Sequence, residues 1–390
     1  MADKHNIKRK ICFPITSRVH YARQKRLLSL LNKDKRFDLQ VVTGGAVLSE
    51  KYGERFASVL HSDGLKVHDT LYNLIDGGGH VAMAKTAGLT ALDFTNSLYK
   101  LDSDIVLIRG DRFEQLAMAM VAAYLNKTIA HIEGGDLSGT VDESVRHAIT
   151  KLAHIHFVTN EAAKKRVIKM GEDPKFVFNV GSPDVEFVAT LPKTFDGRAV
   201  NNAGLGSHID IKKDFIVVMY HPVTTEKNNR AAAETLLGVI DSLNIPAVWF
   251  WPNNDAGTNE ISKAIRVFRE DGKIKNNKIH FVTDLLPEDF IGLLRSAKVL
   301  VGNSSAGIKE CSYLGLPAVN IGTRQYGRLK GQNVLDVSAE AKEIEMAVKK
   351  QLEHGLYKKS DLYFRPGTSK KIVDILSKAP LYTQKKFYES

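Results

Sequence analysis

Cysteine is nearly absent: Cys12 and Cys311 are the only two in 390 residues, too few for a disulfide framework or a cysteine zinc site. No apolar run approaches the ~20 residues that a membrane-spanning helix needs, and Met1 to Lys10 is polar where a signal peptide carries an apolar core. A soluble chain in a reducing, cytoplasmic setting with no membrane partner is therefore expected. Lys and Arg outnumber Asp and Glu by 55 to 44, giving a net charge of +11, which favours anionic ligands. The basic residues are scattered, as in Lys8-Arg9-Lys10, Lys164-Lys165-Arg166 and Lys370-Lys371, with no single tract interleaved with aromatics. Nucleic acid is accordingly not expected as a partner. His131-Ile132-Glu133 opens like a zinc deaminase site, but no Pro-Cys-x-x-Cys follows anywhere, so no metal is expected. Gly77-Gly78-Gly79-His80-Val81-Ala82 fits the dinucleotide pattern without following the first strong strand. A mobile glycine loop is expected there.

What the chain does have is a regular alternation of short β-rich runs and helical patterns. Ile11 to Ile15, Leu39 to Thr43, Ile105 to Ile108, Thr128 to Ile132 and His156 to Thr159 read as strands, with helices such as Phe113 to Leu125 between them. That pattern predicts an α/β fold with a parallel, helix-covered sheet. The polar, Gly- and Asn-rich stretch Lys193 to Lys213 reads as a linker. Beyond it the scheme repeats with Phe215 to Met219, Ala247 to Trp251, Ile279 to Val282, Val299 to Val301 and Ala318 to Ile321. Two Rossmann-like domains facing one cleft are expected, split at residues 1–190 and 191–368.

Chemistry concentrates beyond the strand ends. Residues His131 to His147 pack Glu133, Asp136, Asp142 and Glu143 around Arg146, and Gly110-Asp111-Arg112 follows the strand before them. In an open α/β sheet such loops form the ligand crevice, so both acidic segments should face one cleft, although Asp142 alone also reads as an N-cap of a helix Glu143 to His154. In the second half, Gly302-Asn303-Ser304-Ser305-Ala306-Gly307 precedes a helix through Glu310 and Tyr313; small residues, hydroxyls and free N–H groups suit a diphosphate there. Arg324 and Arg18 could supply matching cations, and Tyr220-His221-Pro222 would place an imidazole at the interdomain mouth.

Gly110-Asp111-Arg112, His131-Ile132-Glu133-Gly134-Gly135, Asp142 to Lys151, His221-Pro222, Gly302-Asn303-Ser304-Ser305 and Gly322-Thr323-Arg324-Gln325 occur in this order, and the set resembles the UDP-N-acetylglucosamine 2-epimerases, most closely their hydrolysing branch. The resemblance implies the two-domain GT-B fold, with a C-terminal helix, here Ser369 to Leu376, crossing back so that residues 369–390 rejoin the first domain. It implies loss of the C2 proton and of UDP to give a 2-acetamidoglucal, then hydration to N-acetylmannosamine, without a cofactor. The family's acids fall on Asp111, Glu133 and Asp142 and its histidine on His221. Arg146 would orient the acids with His147 as polar support. UDP would lie against Ser304, Ser305, Glu310 at the ribose, and Arg324, with Arg18, Arg112 and Asn253 completing the substrate-binding set. A homo-oligomer, dimer or tetramer, is also implied.

One departure stands out: many relatives read Arg-Ala-Asp-Tyr where this chain has Arg18-Val19-His20-Tyr21. Loss of that carboxylate makes the 2,4-diacetamido-2,4,6-trideoxy sugar an alternative to N-acetylglucosamine. A GT-B glycosyltransferase and a non-catalytic nucleotide-sugar sensor are the competing classes of function.

Overall fold

A computed structural model describes residues 8–49, 53–75, 77, 79–270, 278–381 and 384–389. Two seven-stranded sheets organise them. The first is built from β1 (Arg9–Ile15), β2 (Phe37–Gly44), β3 (Val67–Leu71), β4 (Ile105–Arg109), β5 (Thr128–Ile132), β6 (Ile155–Val158) and β7 (Val177–Asn179), in the spatial order β3-β2-β1-β4-β5-β6-β7. Every pairing in it is parallel. β4 and β5 are buried along their whole length, as strands covered on both faces must be, and this is why they read as unbroken apolar runs.

The second sheet takes β8 (Gly204–Gly206), β9 (Ile216–Met219), β10 (Ala247–Phe250), β11 (Ile279–Val282), β12 (Val299–Gly302), β13 (Ala318–Ile321) and β14 (Val334–Val337), ordered β14-β13-β12-β9-β10-β11-β8. The expected linker 193–213 is corrected here. Within it, Arg198–Asn202 forms a short helix and β8 joins the edge of β11 antiparallel, Leu205 opposite Phe281. A three-residue strand flanked by glycines carries no apolar period, so only the waiting edge of β11 selects it. β3, β7 and β14 are likewise strands for which the sequence pattern gave no expectation.

Strand order reverses between β1 and β4 in the first sheet and between β9 and β12 in the second. Loops at such a switch point diverge to opposite faces and leave a crevice. The loops after β1, β4, β9 and β12 carry Arg18, Asp111, His221 and Ser304.

The last long helix, Thr368–Lys378, packs on Arg18–Lys33 of the first half and contributes Ile372, Val373, Leu376 and Ala379 to its core, beside Ile11, Leu27 and Leu31. Arg9 fixes its end, donating to the carbonyls of Leu376 (2.9 Å) and Ala379 (2.5 Å). Full burial of each large aliphatic side chain contributes ~1.5–3 kcal/mol, so these contacts hold the chain end firmly on the first sheet. Gly78, within the expected glycine loop, lies outside the described residues. Its neighbour Gly77 accepts from Asn259 Nδ2 at 3.0 Å. Among the described residues no helix is long and apolar enough to cross a membrane.

Candidate active site

Local backbone geometry sets the loops that carry the acids. After β4, Gly110 turns the chain in the left-handed region (φ 77°), and Arg112 caps the helix Phe113–Tyr124. Between them Asp111 meets Arg146, whose side chain is 1% exposed. Arg146 is held from behind by the Asp136 carbonyl (2.7 Å) and Ser138 Oγ (3.2 Å). Burial opposes the charge on Asp111, but Arg146 and Arg328 outweigh it and keep the carboxyl well below its usual range.

Asp142 has the opposite environment. Thr140, and not Asp142 as expected, is the N-cap: its Oγ1 accepts from the Asp142 N–H at 3.3 Å, and the helix runs Val141–Leu152. Freed from capping, the Asp142 carboxyl lines the cleft. Burial, reinforced by the charges of Asp111 and Asp255, raises it to about 6. Two carboxyls in one cavity are thus pushed apart in acidity, the arrangement that separates acid–base roles.

Glu133 departs from expectation. It adopts a left-handed backbone (φ 73°) that turns its carboxylate away from the cavity lining. The group lies between Arg109 Nη2 at 2.9 Å and Lys309 Nζ. Burial would raise it, but these cations hold it well below its usual range. His131 is a satisfied core histidine, bonded to the Gly110 carbonyl (2.8 Å) and Thr150 (3.1 Å). His147 faces Glu143 at 3.9 Å.

The second sheet supplies the other wall. Asn303 staples β9 to β12: its Oδ1 accepts from the His221 N–H and its Nδ2 donates to the His221 carbonyl, both at 2.8 Å. His221 Nδ1 accepts from the Asn253 N–H (3.3 Å), which assigns the ring proton to Nε2. Burial and Arg324 lower His221 to about 3, so the imidazole is neutral. Asn253 Nδ2 donates to Asp255, and its buried Oδ1 has no partner among the described residues. Arg324 donates to the Asn303 carbonyl at 3.2 Å.

The expected helix through Glu310 and Tyr313 is instead two short helices, Ser305–Ile308 and Glu310–Leu314, broken at Lys309. The break points Lys309 inward at Glu133. Ser304 caps the first helix (3.3 Å to the Ala306 N–H). Ser305 Oγ accepts from Arg23 at 3.3 Å, and Glu310, 2% exposed, pairs with the same Arg23 at 3.0 Å. Arg18 pairs with Asp284, and Arg112 with Glu114 and Asp255, both at 3.1 Å.

The cleft between the sheets encloses about 370 Å³, lined among others by Arg18, Asp111, Arg112, Asp142, His221, Asn253, Ser304, Ser305, Glu310 and Arg324. Glu133 and Arg146 stand behind this wall. The loops also grip each other, since the Gly139 N–H donates to the Arg324 carbonyl at 3.0 Å and Arg328 Nε to Leu137 O at 3.2 Å. A Cβ at position 139 would strike the Thr323 carbonyl oxygen. Sequence reading missed Arg23, Asp184, Asp255 and Lys309. Asp255 follows a strand end, a position the crevice rule covers. The others lie within helices or at the break between two, where the chain gives no signal. Among the described residues no group of His, Cys, Asp or Glu is placed to hold a metal ion.

This fold and much of this sequence recur in known proteins. Among solved structures, a UDP-GlcNAc 2-epimerase from Neisseria meningitidis bound to UDP-GlcNAc matches with a TM-score of 0.77 at 17% identity, covering 95% of this chain and 100% of that one. Another from Methanocaldococcus jannaschii, in complex with UDP-GlcNAc and UDP, gives the same score and coverage. The shared architecture is the GT-B-like pair of α/β domains. A Legionella pneumophila UDP-N,N'-diacetylbacillosamine 2-epimerase (hydrolyzing) is 32% identical over 377 residues, 96% of this chain and 97% of its own. A UDP-N-acetylglucosamine 2-epimerase from Neisseria meningitidis is 34% identical over 368 residues, 92% and 91% of the two chains. The sequence profile described as UDP-N-acetylglucosamine 2-epimerase matches residues 29–377. With this match and these relatives, and with Asp111, Asp142, His221 and the Ser304-Ser305 turn meeting in one cleft of this fold, the chain belongs to the UDP-N-acetylglucosamine 2-epimerase family.

Proposed function

We propose that the protein is a hydrolysing 2-epimerase that converts UDP-N-acetylglucosamine to UDP and N-acetylmannosamine. The observation that carries the reading is the pair Asp111 and Asp142, one kept ionised and the other raised to about 6, facing cations and a neutral imidazole from the opposite sheet. Asp142 takes the C2 proton as the C1–O bond to UDP breaks, because a base whose acidity lies near neutrality moves protons most effectively; water then adds across the C1–C2 double bond of the 2-acetamidoglucal, its hydroxyl to C1 and a proton to the opposite face of C2. Asp111, ionised throughout, stabilises the positive charge that develops at C1 as UDP departs. His221 donates from Nε2 to the leaving oxygen, and Arg324, Ser304 and Ser305 hold the diphosphate. Arg146 positions Asp111 from behind, and Glu133 is tied up between Arg109 and Lys309.

The diacetamido sugar is the second reading. It is supported by the Legionella relative and by apolar lining on the first-sheet side, where Val19, Met83, Phe113, Val141 and Val145 face the cavity. Proton NMR in D2O with each UDP-sugar tests both. UDP release with a deuterium-bearing C2 epimer from one sugar supports that reading, whereas release of UDP only when an acceptor is added would assign a glycosyltransferase.

Because Asp142 must be ionised to act as base, kcat/KM is expected to fall as pH drops through about 6; a profile flat through that region removes Asp142 from the proton transfer. Arg324→Ala is expected to weaken UDP binding by ~1.5–3 kcal/mol, ten- to a hundredfold. Ser305→Ala should act more weakly, since Arg23 already occupies that hydroxyl. Calorimetric titration of UDP checks both, and equal losses would contradict the assignment.

A further inference from the structure

Asp255, in the loop after β10, has no role in the mechanism above, yet it stands where Arg112 of the first half and Arg324 of the second converge on the cavity. It is 8% exposed and lines the cleft. Its Oδ1 accepts from Arg112 Nη1 at 3.1 Å, and its Oδ2 lies 3.9 Å from Arg324 Nη2 and accepts from Asn253. Each arginine is anchored on its far side. Glu114 takes Arg112 Nε and Nη2 at 3.1 and 3.2 Å, and the Asn303 carbonyl takes Arg324 Nη1 at 3.2 Å. Two fixed guanidinium groups sharing one carboxylate form an anion site in which the protein itself supplies the anion. Two unshielded cations in a cleft of low polarity would repel one another and splay apart. A carboxylate between them keeps both in place before an anionic ligand arrives, which reduces the reorganisation that binding must otherwise overcome.

We propose that Asp255 is a positioning residue of this site, bridging Arg112 of the first sheet to Arg324 of the second and setting the negative field in which Asp142 works. Asp142 faces Asp111, Arg112 and Arg146 from its own sheet and Asp255 and Arg324 from the other. Asp255 also faces His221. Of these charges, only Asp111 and Asp255 oppose ionisation of Asp142, and Asp111 is neutralised directly by Arg146. Asp255 is therefore the charge whose removal moves Asp142 without breaking the Asp111–Arg146 pair.

The inference rests on the proposed function only in naming a diphosphate as the ligand anion, so its test uses binding as well as turnover. UDP is titrated into the full-length wild type and Asp255→Asn across a pH range bracketing neutrality. UDP ionises alike in both, so the difference reports on the protein. In the wild type, ionisation of Asp142 adds a negative charge beside the ligand and lowers affinity as pH rises. In Asp255→Asn that fall is expected to begin ~1 pH unit lower, with the limb of kcat/KM moving by the same amount. Asp255→Glu, which restores the charge, should return it. Asp255→Ser removes the charge with a smaller side chain and serves if the asparagine variant does not fold. A limb that stays in place in a folded, charge-removed variant overturns the proposal, as does a wild type that binds no UDP. A limb that moves in binding, with neither UDP-sugar turned over, upholds Asp255 and refutes the epimerase reading.

Discussion

Asp142→Asn is expected to lower turnover by ~10²–10⁴-fold, the range general acid–base groups typically supply, while UDP affinity is retained at low pH and no longer falls as pH rises through about 6. The amide fills the same space, and the cap on that helix is Thr140 rather than Asp142, so no capping bond is lost. Steady-state kinetics with calorimetric UDP titration separates the effects. Wild-type turnover in this variant would move the proton transfer to another group, and a parallel collapse of UDP binding would make Asp142 a binding residue instead.

Lys309→Met is expected to cost stability rather than chemistry. The Lys309 side chain is 2% exposed and reaches Glu133 directly, with Asp136 and Asp184 each at 3.9 Å. Removing one partner of a buried ion pair leaves uncompensated charge and typically costs ~3–5 kcal/mol. Arg109 remains on Glu133 at 2.9 Å and bounds the loss from above. A drop in the urea midpoint of the ligand-free protein is the readout, and an unchanged midpoint would mean that the cluster tolerates its missing cation. The same cluster explains why Glu133→Gln, which a reading of Glu133 as proton carrier treats as a fold-neutral change, is expected to destabilise the chain as well.

Much of this architecture is legible in the chain. β1, β4, β5, β10 and β12 are apolar runs because both of their faces are covered, and the segments that follow them bring Arg18, Asp111, Asp142, Asn253 and Ser304 to the cleft, where the crevice rule expects polar residues. Asp111, Asp142, His221, Ser304 and Arg324 follow from that rule together with the family resemblance. What is not legible is pairing across distance. Glu133 and Lys309 are separated by 176 positions, and nothing local distinguishes Lys309 from a solvated lysine until the helix break at its backbone aims it inward. The orientation of Glu133 was hidden for a similar reason. A left-handed backbone at a glutamate costs energy locally, and contacts remote in sequence hold the residue there: its ion pairs with Arg109 and Lys309 and the bond from its N–H to the Phe157 carbonyl at 2.9 Å. β8 escaped because its three residues carry no pattern of their own.

The helix Thr368–Lys378 also constrains how the protein is made. The core of the first half contains Ile11, Leu27 and Leu31, yet Ile372, Val373 and Leu376 complete it. A ribosome therefore releases the first half long before the residues that complete this core exist, and the second half, contiguous in sequence, can close first. During that interval the apolar face of Arg18–Lys33 waits uncovered, a state in which nascent chains associate wrongly. A chain stopped before Thr368 would never leave this state, so the order of synthesis, as much as the fold, makes the final helix indispensable.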